Sequence, residues 1–410
     1  CQFESGRGHQ NFMFSKNILI VFKDKKKITL NNEFWSEKFM TKYNVFQFFL
    51  NDYLELTNNK IIDKINKIIN EKEINIILFE GDHAHIIDYN FIKKINHKPK
   101  KGIFLGDDMV WHNLNLITSQ ACDFVFTSCP ISALKFKEIG TSSLFVPIEC
   151  SGKILKDYNL DKIYDVLHFG REKTKRSEYI NFLRINGIKV KSVSPYHDEA
   201  DTFEKLAKLI NQSRIVLNFS ESSNGNRKFN PLSVFKSFYQ LKGRIQMTGL
   251  CNSLCITEYT PSLYMMYGND EIPIFKDKDE CLSHIKNYLG NNEKLLNQTK
   301  KFHLKSLKYE DKNYINTIEN FINKIEISDK NYFEPPFWYN MIFLNQTLRL
   351  RSKRGLIMSF LNEFLINIFY KKQKNIINQF LFIIISILFY LRYLPFSIIN
   401  TFTKKNDKKN

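Results

Sequence analysis

A chain of 410 residues with 43% hydrophobic content is long enough for two domains of ordinary size and too apolar for wholesale disorder. Its 60 Lys and Arg against 42 Asp and Glu leave a net charge of +18, which points to an anionic partner. The basic residues are spread along the whole chain in a Lys, Asn and Ile background of AT-rich character. There is no Arg-rich tract and no zinc-finger, helix-turn-helix or RNA-recognition signature, so the charge does not read as nucleic-acid binding.

Met13 stands just before the first apolar run, and residues 1–12 are read as an extended start outside the fold. No basic-then-apolar signal peptide opens the chain. The seven cysteines, at positions 1, 122, 129, 150, 251, 255 and 281, match no zinc framework; they are read as reduced, which implies a cytoplasmic protein.

From there strands and helices alternate. NILIVF (17–22) and VFQFF (45–49) are short β-branched and aromatic runs suited to buried parallel strands. A helical period of 3.6 follows in NNKIIDKINKIINEK (58–72). INIILFE (74–80), GIFLGDD (102–108), DFVFTS (123–128) and SLFVPIEC (143–150) continue the series. After a polar connection the pattern restarts with YDVLHFG (164–170), a helix over 177–187, IKVKSVS (188–194), a helix over 204–213 and RIVLNFS (214–220). Lys242-Gly243-Arg244 opens the next helix, followed by SLCITEY (253–259), EIPIF (271–275) and a last helix over 280–289. Such alternation predicts an α/β protein of two Rossmann-like domains facing a cleft, with ligands at the carboxyl ends of the strands. The boundaries read from it are an N-terminal domain over 13–155, a C-terminal domain over 156–326 and a helical, apolar and basic tail over 327–410 that belongs to neither.

In that tail, residues 376–391 read IINQFLFIIISILFYL, with Lys371, Lys372 and Lys374 before them and Lys404, Lys405, Lys408 and Lys409 after. The apolar core is shorter than the ~20 residues of a spanning helix, and its aromatic and lysine borders suit a membrane interface. The reading is an anionic membrane surface contacted from the cytoplasmic side, with a true span and a core helix left open.

The second half carries a resemblance. DVLHFGREKTKRSEYINFLRINGIKV, LINQSRIVLNFS, LKGRIQMTGLCNSLCITEYTPSL and EIPIFKDKDECLSHIKNYL occur in the order found in the spore-maturation (CgeB-like) glycosyltransferases of the GT-B superfamily. In the first half, GIFLGDDMVW and DFVFTSCPISALKFKEIG resemble the Asp-rich strand end and the following strand-helix unit of that family. The resemblance covers residues 17–325 and has no counterpart for the tail. It implies a glycosyltransferase moving a sugar from a nucleotide-sugar donor to a glycan or lipid-linked acceptor, without a metal or other cofactor. Two positions depart from the pattern. Met247 stands where many GT-B enzymes carry a Glu that contacts the donor ribose, and Asn252 replaces the Gly of the Ala-Cys-Gly sequence. Glu258 is the nearest acidic substitute.

A leaving nucleotide diphosphate needs cations in place of a metal. Gly170, Arg171 and Lys173, with Lys175 and Arg176 close by, follow the strand where the family binds diphosphate. Lys242 and Arg244 sit at a helix start, and Arg171 and Arg244 have the fork geometry that matches phosphate oxygens. Asn218 and Ser220 end the next strand, where they can hydrogen-bond sugar or base. In the first domain, Asp107 and Asp108 beside Trp111, together with His83 and His85, end strands that open on the cleft; Asp107, Asp108 and His83 are the candidates for acceptor deprotonation or sugar positioning. For each lysine the ordinary alternative is a solvated turn, and for the two histidines a loop with no chemical duty. A His-x-His pair without a third ligand does not make a metal site.

Overall fold

A computed structural model describes residues 16–24, 38–81, 86–106, 108–147, 150–172, 175–194, 200–221, 239–268, 270–327, 333–336, 339–340 and 343. In the first domain, β1 (Asn17–Phe22), β2 (Asn44–Phe49), β3 (Ile76–Gly81), β4 (Lys100–Leu105), β5 (Phe124–Thr127) and β6 (Ser143–Phe145) form one sheet. All its pairings are parallel, in the order β2-β1-β3-β4-β5-β6. Parallel strands need crossovers, here supplied by α1 (Asn58–Glu71), α2 (Tyr89–Lys93), α3 (Asp108–Ser119) and α4 (Pro130–Glu138). The crossovers cover both faces, which explains why β1 is apolar at every position after Asn17 rather than alternately. Leu19 and Val21 pack with Ile61, Ile65 and Ile69 of α1, while Ile18, Ile20 and Phe22 face the opposite core with Phe39 and Tyr43. Thr57 starts α1 by accepting from the Lys60 amide at 3.4 Å, and Asp88 starts α2 by accepting from Phe91 at 2.7 Å.

The second domain repeats the plan with β7 (Tyr164–Phe169), α5 (Lys175–Ile185), β8 (Val190–Val193), α6 (Phe203–Asn211), β9 (Ser213–Asn218), α7 (Arg244–Leu250), β10 (Leu254–Glu258) and β11 (Ile274–Phe275). Its parallel order is β11-β10-β9-β7-β8. Strand order reverses between β7 and β9, as it does between β1 and β3 in the first sheet. Crossovers diverge to opposite faces at that point and leave a crevice beyond the strand ends.

Helices α8 (Lys278–Leu289), α9 (Asn292–Ser306) and α10 (Asp311–Asn323) close the described fold. The last of them crosses back to the first domain, a return that strand-helix alternation does not signal. Ile315, Ile318 and Ile322 of α10 join the core beneath β1 and β3, where truncation of any one to Ala would cost ~2–5 kcal/mol. Lys38 holds Asp311 at 2.9 Å and the Pro147 carbonyl at 3.0 Å, and Tyr314 donates to the Phe145 carbonyl at 2.6 Å. The chain beyond α10 also differs from its reading as a separate tail. Tyr339 and Phe343 are buried in the first domain's core, with Phe333 packed against it, and the Tyr339 hydroxyl accepts from the Tyr89 amide at 2.8 Å. A short aromatic and apolar run such as FEPPFWYNMIF does not say in sequence which surface it covers; only packing against the first domain's core assigns it.

The six described cysteines are buried and free. Burial pushes the Cys251, Cys255 and Cys281 thiols up, which suppresses thiolate chemistry. Among the described residues no helix is long and apolar enough to cross a membrane. The apolar segment 376–391 and its lysines lie outside the described residues.

Candidate functional site

The crevice of the second domain is lined by the ends of β7, β9 and β10. Gly170 directly follows β7 with φ +131°, a conformation that side chains other than hydrogen rarely tolerate. A Cβ there would also stand 3.1 Å from Arg244 Nη2. The glycine therefore lets the guanidinium lie against the strand end. Arg244 donates to Asn218 Oδ1 at 3.2 Å and lies over the Phe169 ring at 5.8 Å. Asn218 is fully buried and is itself oriented by donating to Thr257 Oγ1 at 2.8 Å. Three predicted residues, Gly170, Asn218 and Arg244, thus meet at the point where the strand order reverses.

Beside them runs a second network. Lys175 donates to Glu258 Oε1 at 2.6 Å and to Glu221 Oε2 at 2.9 Å. Burial alone would lower the Lys175 ammonium, but its hydrogen bonds to Glu258 and Glu221 outweigh that and push it up. Glu258 is 2% exposed and its other oxygen accepts from the Glu221 amide at 2.8 Å. The expected substitute for the missing family Glu is therefore a buried anchor, and Glu221 is the acid of this pair with surface. Arg176 is buried and braces two loops, donating to the Arg171 carbonyl at 3.1 Å and the Glu221 carbonyl at 2.8 Å. Arg171 is exposed at the β7 end. Lys242 donates to Gln240 Oε1. Ser220 donates to the Glu258 carbonyl at 2.9 Å and so ties β9 to β10. Met247 belongs to the apolar core and Asn252, with φ +52°, donates to Asp157 at 2.8 Å, so neither departure faces this edge.

His168 lies under the cations in β7, fully buried, with no partner for Nε2. Burial first, then the charges of Arg244 and Arg176, lower it to about 3, so it is neutral at any working pH.

Across the cleft, α3 starts directly beyond β4. Asp108 is fully buried there, accepting from Asn115 Nδ2 at 2.7 Å and from His112 Nδ1 at 2.8 Å. His112 was missed as a candidate, although aspartate and histidine four apart at a helix start share one face. Trp111, mostly buried, sits at a kink in α3 with φ −110° and ψ 17°. Cys129 starts α4 and meets Ser262, in the loop after β10, at 3.5 Å across the two domains. Asp107, His83, His85 and Lys173 lie outside the described residues. Among the described residues no group of three His, Cys, Asp or Glu side chains could hold a metal ion.

Residues 176–319 match a family model described as glycosyl transferase-like. No curated protein matches the sequence. In fold the chain is similar to a sucrose-phosphate synthase from Thermosynechococcus elongatus, at 9% identity and TM-score 0.52, over 75% of this chain and 98% of that one. It is also similar to a glycosyltransferase from Rickettsia africae, at 8% identity and TM-score 0.51, over 77% and 100% of the two chains. A third likeness is to Anabaena HepE in complex with UDP and glucose, at 9% identity and TM-score 0.50, over 75% and 99%.

Proposed function

We infer that this chain is a GT-B glycosyltransferase, and from that premise propose how its crevice handles a nucleotide-sugar donor. The observation that carries the proposal is Arg244, pinned by Asn218 against Gly170 at the switch point of the glycosyl transferase-like domain. A guanidinium there faces the diphosphate, with Arg171 and Lys242 beside it and Lys173 following Arg171 in the chain. Their role is to stabilise the charge that develops as the sugar leaves, in place of a metal ion. Arg176 and Asn218 act on the donor indirectly, by fixing the two strand ends and Arg244. Glu258 acts through Lys175 and Glu221, and Glu221 is the acid placed to take a ribose contact that Met247 does not provide. HepE, a fold relative, is described with UDP and glucose, which makes UDP-glucose the first donor to try.

The acceptor we propose is a glycan or lipid-linked saccharide, met by the first domain. The lysine-bordered apolar segment 376–391 would bring the enzyme to an anionic membrane surface, where each basic residue contributes about 1 kcal/mol. Fractionating the full chain in low and high salt tests this; protein that stays in the soluble fraction in low salt counts against it.

For the donor, thermal shift against UDP, UDP-glucose and other nucleotide sugars is decisive. A ligand at a hundred times its Kd adds about 2.7 kcal/mol, and Arg244→Ala should cut that to about half or less. If none of the panel moves the melting temperature, the donor reading fails. One second reading is a protein that binds nucleotide sugar without turnover; it would give the shift but no UDP release.

A further inference from the structure

The turn that leaves β10 carries two tyrosines that the donor site does not use. Tyr259 directly follows the strand, and its amide still donates to the Phe275 carbonyl at 3.2 Å. Pairing with β11 therefore runs one residue past Glu258, and the alternation of side chains runs with it. That alternation puts Tyr259 on the face of Thr257, whose hydroxyl takes Asn218, the residue that holds Arg244. Next in the chain, Thr260 Oγ1 donates to the Tyr239 carbonyl at 3.5 Å, and the Tyr239 ring lies 5.9 Å from Lys175 Nζ. A short helical turn (Pro261–Met265) follows, and within it Ser262 meets Cys129, which opens α4 just past β5. The segment thus starts beside both cation networks of the second domain and touches the first domain where one of its strands ends. Its side chains are buried in an inverted order. Thr260, Ser262 and Leu263 are fully buried, whereas Tyr259 is 37% exposed and Tyr264 49%. Aromatic rings have the most area to gain from burial, so two of them left out in favour of a threonine and a serine mark a contact surface. The rings lie 6.0 Å apart at 53°, a tilted pair rather than a closed stack.

We propose that Tyr259 and Tyr264 form a stacking subsite for the acceptor saccharide, so that the second domain shares in holding the acceptor. This rests on the donor reading above. A pyranose ring offers a patch of C–H bonds rimmed by hydroxyls. An aromatic face covers the patch, and the phenolic hydroxyl serves the rim. An acyl chain is the poorer fit, since it would leave both phenolic hydroxyls against an apolar partner. The acceptor has to reach the anomeric carbon, which the donor carries next to its diphosphate. A ring that stacks the acceptor must therefore stand close to Arg244 and near the first domain. Tyr259 stands two residues beyond the threonine that orients Asn218, and Tyr264 two residues beyond the serine that touches Cys129.

The test uses the full chain and three simple probes: methyl β-glucoside, cellobiose and octyl β-glucoside. Saturation-transfer NMR should show the C–H protons of the sugar rings in contact with aromatic protons of the protein. Tyr259→Ala and Tyr264→Ala should each weaken saccharide binding by about 2- to 10-fold, the range for an aromatic contact. Tyr259→Phe keeps the ring and should keep most of the affinity, which a residue acting through its hydroxyl alone would not. UDP and UDP-glucose affinities should be unchanged in all three variants, and that result also shows the variants are folded. No saturation transfer to any probe, unchanged saccharide binding in both alanine variants, or a loss in Tyr259→Phe equal to that in Tyr259→Ala would each overturn the proposal. UDP-glucose affinity that falls in the alanine variants while UDP affinity holds would assign the rings to the donor's own sugar and overturn it too. Absence of any UDP-induced thermal shift would instead count against the donor reading, and the saccharide titration would still judge the tyrosine pair.

Discussion

The two crevice edges of the molecule are built from the same strand ends and carry opposite chemistry. On the second domain, Arg244, Arg176 and Lys175 are cross-linked to Asn218, Glu221, Glu258 and backbone carbonyls. On the first, the described edge holds one acid, one amide and one imidazole in a single helix. Cations pre-oriented by buried partners do not have to reorganise when a diphosphate develops charge, which is where electrostatic stabilisation is strongest. An imidazole steered by a buried carboxylate suits proton removal. The contrast teaches that a duplicated fold plan leaves function to the few residues placed just past each strand.

The largest break in that contrast should come from Glu258→Ala. It removes the buried anchor of Lys175 and the acceptor for the Glu221 amide, and should cost about 3–5 kcal/mol. Urea unfolding measures it; a loss under 1 kcal/mol would mean the network is surface decoration. Next is Arg244→Ala, which should weaken UDP binding by about 1.5–3 kcal/mol, roughly 10- to 150-fold, with stability little changed. Calorimetric titration that finds equal affinity removes Arg244 from the site. Gly170→Ala should cost ~1–2 kcal/mol, because alanine is strained at φ +131° and its Cβ presses on the guanidinium. Its UDP affinity should fall as well, and a variant that lost stability alone would separate the turn from the site.

The smallest effect sharpens the comparison from the first domain. Burial raises Asp88 to about 6, with its hydrogen bond from the Phe91 amide pulling the other way. The folded value lies above the unfolded one, so the native state holds an extra proton between about pH 4 and pH 6. Stability from this group is therefore greatest in acid and falls as pH rises through that window. Asp88→Asn keeps the cap of α2 and should flatten that slope, leaving the variant more stable by about 1–2 kcal/mol at pH 7. Matching denaturation midpoints for variant and parent at pH 4.5 and 7.5 would show that the carboxyl is solvated after all.

Much of the second domain's crevice edge was legible because strand ends announce themselves. A glycine after YDVLHF, Asn218 at the end of RIVLNF and the Lys-Gly-Arg before an apolar helix all fall where a Rossmann crevice requires them. Their pairing was not legible: nothing local links Lys175 to Glu258, 83 residues apart, or Arg244 to Asn218, 26 apart. His112 is the converse case, a short-range pair whose i,i+4 spacing was available but whose worth depends on Asp108 being fully buried.

By itself the sequence determined the local periods. Runs of β-branched and aromatic residues alternate twice with amphipathic helices, and two parallel sheets are the only way to bury such runs on both faces. It determined, too, that the chain is rich in cations without concentrating them. Tertiary structure alone decided how the cations are held, because a fixed partner turns Arg244 toward Asn218 while burial makes Arg176 a brace between two carbonyls. It also decided that α10 and Tyr339 return to the first domain, since a short amphipathic segment has no address until a complementary apolar surface exists to receive it.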